Sequence, residues 1–104
     1  MRFTWDARKS TENLAARGFD FEFATLVFEG PTLENADRRK DYGERRTIAI
    51  GLAQGIELTV VYTDRPVPGD TERRIISARR SNRREREAYK KATTPKEPSP
   101  TRPG

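Results

Sequence analysis

The chain contains neither histidine nor cysteine, so its acid–base chemistry must come from Lys, Asp, Glu, Tyr or Arg. The chain is rich in arginine, whose planar guanidinium can hold two oxygens of one phosphate. Cleavage of RNA by its own 2′-hydroxyl needs such cations around the phosphorus, one group that accepts a proton and one that donates a proton. The candidate residues are therefore arginines that accompany a carboxylate, a lysine or a tyrosine.

Two arginines, Arg74 and Arg79, lie on one predicted strand, and Arg79 is the nearer to the helix that follows. Side chains alternate along a strand, so residues five apart are expected on opposite faces and cannot serve one site together. We favour Arg79 as catalytic, and Arg74 is either a structural charge or an RNA-binding charge at the rim of the site. On the helix, Glu85, Arg86 and Tyr89 share a face. Tyr89 is either a base-stacking or proton-relay residue, or an anchor that packs the helix on the sheet.

Three further residues are catalytic candidates outside that region. Glu44 and Arg45 open the first strand of a predicted hairpin, and Lys9 lies on the first helix. Each is also compatible with a solvated surface charge. Arg17, at the end of the first helix, and Arg83, at the start of the last, are expected to bind RNA phosphates together with Arg86.

The positive charge is concentrated in one part of the chain. The net charge is +5 overall, but residues 1–72 carry ten Lys or Arg against thirteen Asp or Glu. Residues 73–92 carry nine basic residues against two acidic ones. A focused field of this kind is typical of a nucleic-acid surface, and a solvated helix face is the alternative.

Several classes of site are not expected. Without His or Cys, and with the acids scattered, the sequence predicts no metal site and no cofactor. No run approaches about 18 apolar residues, so no membrane span is expected. No signal peptide is recognisable and cysteine is absent, which favours the cytoplasm.

The N-terminal half is expected to begin with a short strand followed by two helices. Asp6 is a candidate N-cap, and Gly18 a candidate C-terminal stop. A second helix follows Asp20 and ends at Gly30-Pro31. Residues 31–44 are polar and are interpreted as a surface loop.

The C-terminal half alternates with a period of two and predicts three strands and a helix. The first two strands form a predicted β-hairpin with a turn at Ala53-Gln54-Gly55. The alternating apolar residues are Ile48, Ile50 and Leu52 on its first strand and Leu58, Val60 and Tyr62 on its second. Residues 64–70 form a connection, the third strand spans 74–79, and a capping box at Asn82 and Glu85 starts a helix over 83–91. The predicted fold is α+β: a small antiparallel sheet with two N-terminal helices and one C-terminal helix, all on one face. The domain spans 1–92, and the proline-rich 93–104 are expected to be a disordered tail.

Four short motifs occur in order along the chain: Phe3-Thr4-Trp5-Asp6, Gly18-Phe19-Asp20-Phe21-Glu22, Gly43-Glu44-Arg45, and Arg74-Ile75-Ile76-Ser77-Ala78-Arg79 followed by Arg84-Glu85-Arg86 and Tyr89. Together, over residues 3–89, they closely resemble the BrnT family of type II toxins. That resemblance implies a RelE-like fold, RNA cleavage that inhibits translation, and neutralisation by a BrnA-type ribbon-helix-helix antitoxin. It also implies that operator DNA is bound only through the antitoxin complex.

One motif departs from the family pattern. Many relatives read Lys-His-Gly where this chain reads Ala16-Arg17-Gly18. A guanidinium stays protonated, so Arg17 can bind phosphate but cannot act as a base. The leading interpretation is a metal-independent endoribonuclease toxin. The alternatives are a non-catalytic module that acts with its antitoxin as a DNA-binding co-repressor, and a general RNA-binding protein.

Overall fold

A computed structural model describes residues 1–94 of the chain, which form one five-stranded mixed sheet with helices on both faces. The strands are β1 (Arg2–Trp5), β2 (Leu33–Ala36), β3 (Thr47–Ala53), β4 (Ile56–Val67) and β5 (Asp70–Arg80). The helices are α1 (Ala7–Arg17), α2 (Phe21–Ala24), a 3₁₀ helix (Thr25–Glu29) and α3 (Arg83–Thr93). The sheet order is β1-β5-β4-β3-β2.

The predicted helix caps are confirmed. The Asp6 carboxylate accepts a hydrogen bond from the backbone N–H of Lys9, and Gly18 ends α1 with φ of 85°. Asp20, which was expected only to precede the second helix, also caps α2, through the N–H of Phe23. Asn82 and Glu85 form both halves of a capping box on α3. These short-range bonds satisfy N–H groups that the first turn of a helix leaves free.

The predicted hairpin is confirmed and is longer than expected. Gln54 and Gly55 both have positive φ, 48° and 79°, as a two-residue type I′ turn requires. The connection predicted over 64–70 is wrong, because β4 continues to Val67 and only Pro68-Gly69 turn. Strand β4 pairs with β3 only as far as Tyr62, so its later residues are unpaired on that side. Pro66 lies in this part of β4, where the missing N–H of proline does not interrupt pairing with β3.

The surface loop predicted over 31–44 is only partly correct, because Leu33–Ala36 form the edge strand β2, antiparallel to β3. Its residues show no apolar alternation that could mark a strand. A purely antiparallel sheet is also wrong: β1 runs parallel to β5, with Phe3 opposite Arg73. The second predicted helix is confirmed only in part, because after one turn of α-helix it tightens to a 3₁₀ helix.

The main core lies between the sheet and the N-terminal helices. Its largest fully buried side chains are Val27 of the 3₁₀ helix, Leu58 and Val60 of β4, and Ile75 of β5. The face of β3 that is turned to this core carries only the small residues Ala49, Gly51 and Ala53, because the 3₁₀ helix lies very close to it. A Cβ on Gly51 would lie 2.9 Å from the Cβ of Val27.

The expectation that all helices share one face is wrong, because α3 packs on the opposite face of the sheet, against β3 and β2. Thr59 lies between the core residues Leu58 and Val60, so it points away from the main core, and it meets Ser81 beside the start of α3. Helix α3 extends to Thr93, two residues beyond the predicted end. The tail predicted over 93–104 lies outside the described residues from 95 onward.

A β-bulge in β5 changes which arginines share a face. Ser77 pairs with Val61 and Ile75 pairs with Tyr62, so Ile76 is the extra residue. Both Ile75 and Ala78 therefore face the main core, although they are three residues apart. Arg74 and Arg79 adjoin those two residues and lie together on the opposite face, which we call the outer face. The prediction that they point to opposite faces is wrong, because the bulge shifts the alternation by one residue.

Candidate functional site

A cleft on the outer face brings together three of the predicted site residues. Arg74 of β5 forms one side, and Glu44 and Arg45, which precede β3, form the other. We call this the Arg45–Arg74 cleft; it has a volume of 350 Å³ and is lined by Glu44, Arg45, Thr63, Asp64, Arg65, Glu72 and Arg74.

The two sides of the cleft are held in register by Thr63 of β4. Thr63 lies directly opposite Arg74 in the β4–β5 ladder. Its hydroxyl donates a 2.8 Å hydrogen bond to the backbone carbonyl of Arg45. The backbones of Arg45 and Arg74 are therefore both linked to Thr63, Arg74 through the strand ladder and Arg45 through this hydrogen bond.

The acids around the cleft are paired with arginines other than Arg45 and Arg74. Each acid accepts a hydrogen bond from one arginine, and the shortest distance in each pair is 3.1 Å for Glu44 with Arg46, 2.6 Å for Glu72 with Arg65 and 2.8 Å for Asp64 with Arg73. Within residues 1–94, Arg45 and Arg74 form no salt bridge. The cleft therefore offers two uncompensated guanidinium groups, which suits a phosphate ligand.

Glu44 keeps one carboxylate oxygen available. Both hydrogen bonds from Arg46 go to Oε1, and Oε2 accepts none from the described part of the chain. The Glu44 side chain is 44% exposed. A solvent-accessible carboxylate oxygen beside two free cations can accept a proton from a hydroxyl that a bound phosphate positions there.

Lys9 lies on the first turn of α1, outside the lining of the cleft that contains Arg74. Asp6 connects the two: its pKa is lowered chiefly by the hydrogen bond from the N–H of Lys9, and the positive charges of Lys9 and Arg74 lower it further. Lys9 is exposed, and its ammonium makes no ion pair within residues 1–94. A shallow groove beside it is lined by Arg17, Ile76 and Ser77.

Arg79 is engaged in a bidentate ion pair with Glu85. Its two terminal nitrogens donate to the two Glu85 oxygens at 2.7 and 2.8 Å. This pair lowers the pKa of Glu85 and raises that of Arg79. Because Glu85 also caps α3, the pair connects β5 directly to the start of that helix.

Tyr89 is buried under α3 on the outer face. It is 4% exposed, and its hydroxyl donates to the carbonyl of Pro31 at 2.7 Å. Burial raises the pKa of this phenol, with the nearby Glu57 charge as a smaller cause. The contact joins the helix to the chain just before β2, which matches the anchoring alternative for Tyr89.

The three residues predicted to bind RNA alongside Arg74 lie outside the cleft. Arg17 donates to the backbone carbonyl of Ala78 at 2.8 Å, at the edge of β5. Arg86 donates to the carbonyl of Ser81 at 2.7 Å, and Arg83 pairs with Glu87 on the exposed side of α3. The structure thus places these arginines around the C-terminal end of β5 and on α3.

A partly buried polar cluster at the end of the core was not predicted. The Arg73 guanidinium stacks 4.0 Å from the ring centre of Tyr62 and 4.7 Å from that of Phe28, and it pairs with Asp64. The Tyr62 hydroxyl donates to Glu34. Burial, aided by that bond, raises the pKa of Tyr62 to about 12. The sequence signal was the alternation of Arg73 with Ile75, which places Arg73 on the core face.

Residues 5–85 match the protein-family model described as the ribonuclease toxin BrnT of type II toxin–antitoxin systems. The chain belongs to the BrnT family. Membership confirms the resemblance seen in the motifs, and it means that the chain is of a ribonuclease toxin family whose members act with an antitoxin partner. No individually curated protein matches the sequence. The match includes Lys9, Glu44, Arg45 and Arg74, the candidate residues in and beside the cleft.

Residues 1–94 contain neither a candidate membrane span nor a candidate metal site. None of the helices there is long and apolar enough to cross a membrane. No three residues among His, Cys, Asp and Glu in that range are grouped so that they could hold a metal ion.

Proposed function

We propose that this chain is an endoribonuclease that cleaves RNA in the Arg45–Arg74 cleft without a metal ion. The observation that carries the proposal is the pairing pattern: each acid of the cleft has its own arginine, while Arg45 and Arg74 remain uncompensated. Two free guanidinium groups, one on β5 and one just before β3, suit a phosphodiester that gains negative charge in its transition state.

The reaction is attack of the RNA 2′-hydroxyl on the adjacent phosphorus. The Glu44 carboxylate accepts the hydroxyl proton as the O2′–P bond forms, and Arg45 and Arg74 hold the non-bridging oxygens. The P–O5′ bond then breaks, and the departing 5′-oxygen takes a proton from Lys9, which has to reach it over the β1 edge of the sheet because it lies outside the cleft lining. The products are a 2′,3′-cyclic phosphate and a 5′-hydroxyl. Metal independence rests on the residue types, since cations already supply the charge that a metal would provide.

The remaining predicted residues are assigned to support. Arg79 and Tyr89, whose polar groups are already bonded, hold α3 on the outer face and so shape the far end of the RNA surface. Arg83 and Arg86 on α3, together with Arg17, bind flanking phosphates. These contacts add affinity that falls with salt and carries no base specificity.

The wider biology is proposed from the family resemblance. We propose a RelE-like fold, a cytoplasmic site of action, inhibition of translation, and a BrnA-type ribbon-helix-helix antitoxin. Operator DNA would be bound only by the antitoxin complex. The domain would span 1–92, with 93–104 as an appended tail.

The test is cleavage of a defined RNA by the purified chain. We expect activity to persist in EDTA and the products to carry 2′,3′-cyclic or 3′-phosphate ends. Complete loss of cleavage on chelation would exclude the in-line mechanism. If the folded chain cleaves no RNA and does not arrest growth, yet strengthens operator binding by its antitoxin, the co-repressor alternative is correct.

A further inference from the structure

A second pocket lies on the opposite side of the sheet from the cleft, where α1, α2 and the end of β5 meet. Its apolar wall is formed by Leu14, Phe19, Phe23 and Ile56, and its volume is 330 Å³. We call it the Leu14 pocket. Leu14 is 49% exposed, although most large apolar side chains of residues 1–94 are covered. The pocket is therefore large and apolar enough to receive a leucine or phenylalanine side chain from a partner.

The rim of the Leu14 pocket carries unneutralised positive charge. Arg80 forms no salt bridge within residues 1–94. Arg17 donates only to neutral acceptors, the carbonyl of Ala78 and the amide oxygen of Asn13. The one carboxylate of the rim, Asp20, is the N-cap of α2, so the two arginines and this acid leave the rim with a net charge of +1. An occupant that brings carboxylates would complement this rim.

The pocket also adjoins a strand edge that has no neighbouring strand. Strand β1 pairs with Glu72 to Ile75 only, so the last part of β5 is unpaired on the side away from β4. Arg17 covers the carbonyl of Ala78 on this edge. An extended peptide could run beside this edge and place alternate side chains in the pocket and in solvent.

We propose that the Leu14 pocket is the docking site for a segment of the antitoxin, which inserts one large apolar side chain and places carboxylates beside Arg17 and Arg80. The inference rests on this chain having an antitoxin partner, and it is independent of which residues cleave RNA. Two other occupants fit less well. Residues 95–104 contain no large apolar side chain other than proline and carry a net charge of +1. A second copy, docked symmetrically, would bring the same cations against one another.

The test measures the affinity of the full chain for the protein encoded by the gene beside its own. Leu14→Asp should raise Kd by at least about tenfold, because an apolar contact is lost and a carboxylate faces an acidic partner. Arg80→Glu should also raise Kd by about tenfold and slow association. The matched controls are Leu52→Asp, since Leu52 is 44% exposed on the outer face, and Arg84→Glu on α3; both should stay within about twofold.

Thermal melts confirm that each variant folds, and Leu14→Ala, which is milder in a helix, should still weaken binding by at least about threefold. Unchanged affinity of both Leu14 variants would overturn the proposal, as would an equal loss in the controls or no complex at all. A dimer of the free chain that Leu14→Asp makes monomeric, with antitoxin affinity unchanged, would assign the pocket to a second copy. RNA cleavage by the free Leu14→Asp variant should be normal, which separates this proposal from the catalytic one.

Discussion

The ion pair between Arg79 and Glu85 allows a direct test of whether Arg79 is structural or catalytic. The two side chains make two parallel hydrogen bonds, and they are 43% and 17% exposed. An exposed pair contributes about 0.2–1 kcal/mol, and bidentate geometry with partial burial places this one near the upper end of that range. We expect a coupling free energy of about 1 kcal/mol between the two residues.

The assay is a double-mutant cycle measured by urea unfolding at neutral pH. Arg79→Met keeps the apolar stem of the side chain, and Glu85→Gln keeps an oxygen that can accept from the N–H of Asn82. The single variants should each lower the free energy of unfolding by about 1 kcal/mol, which in a parallel thermal melt corresponds to roughly 4–8 °C in a domain of this size. The double variant should be less destabilised than the sum of the two.

The pH dependence of that coupling has a defined sign. The ion pair lowers the pKa of Glu85 below its usual value of 4.5 in the folded protein. Its contribution is therefore complete above pH 4.5 and is lost as the pH falls through the folded-state pKa. A coupling below about 0.3 kcal/mol at neutral pH, combined with loss of RNA cleavage by folded Arg79→Met, would refute the structural assignment.

Three further outcomes are expected. Tyr89→Phe should cost about 1 kcal/mol of unfolding free energy, because the Pro31 carbonyl loses its donor, and should leave RNA cleavage unchanged; a large loss of cleavage in the folded variant would make Tyr89 catalytic. Gly51→Ala should lower the free energy of unfolding, measured in urea, by about 1–3 kcal/mol, because the new Cβ would meet Val27. The control Gly30→Ala should lower it far less, because no atom lies within 4 Å of the new Cβ. Equal losses of stability in the two variants would contradict the close packing at Gly51. In a tyrosinate absorbance titration the Tyr62 phenol should ionise only near pH 12. Its contribution to stability should be complete below pH 10 and be lost as the pH rises towards 12. A titration that Tyr62→Phe leaves unchanged in that range would contradict the assignment.

Local signals in the sequence predict the parts of the fold that depend on neighbouring residues. Asp6, Asp20 and Asn82 cap helices through bonds that span three residues. The hairpin was found because alternating apolar residues flank Gln54-Gly55. Strand β2 was missed because Leu33–Ala36 carries no apolar alternation, and its pairing with β3 is made by the backbone. The parallel pairing of β1 with β5 joins distant segments, and no short pattern encodes its direction.

The candidate site was predicted in part. Glu44 and Arg45 were recognised from their place before a strand, and Arg74 from its charge. Strict alternation would put Arg74 and Arg79 on opposite faces, so only one could serve the site, and Arg79 was favoured because it lies nearer the last helix. The bulge at Ile76 places both on one face, and the segment Ile75-Ile76-Ser77 contains no glycine or proline that could signal it. The partners that leave Arg74 free and engage Arg79 depend on the tertiary structure.

The most direct test of the account compares two single substitutions that remove the same charge. Arg74→Ala removes a cation from the cleft, and Arg84→Ala removes an exposed cation of α3 that has no salt bridge within residues 1–94. With both variants folded, the single-turnover rate of RNA cleavage should fall at least about 100-fold for Arg74→Ala and less than about threefold for Arg84→Ala. Equal rates for the two variants, or a normal rate for Arg74→Ala, would contradict the assignment of the cleft as the active site.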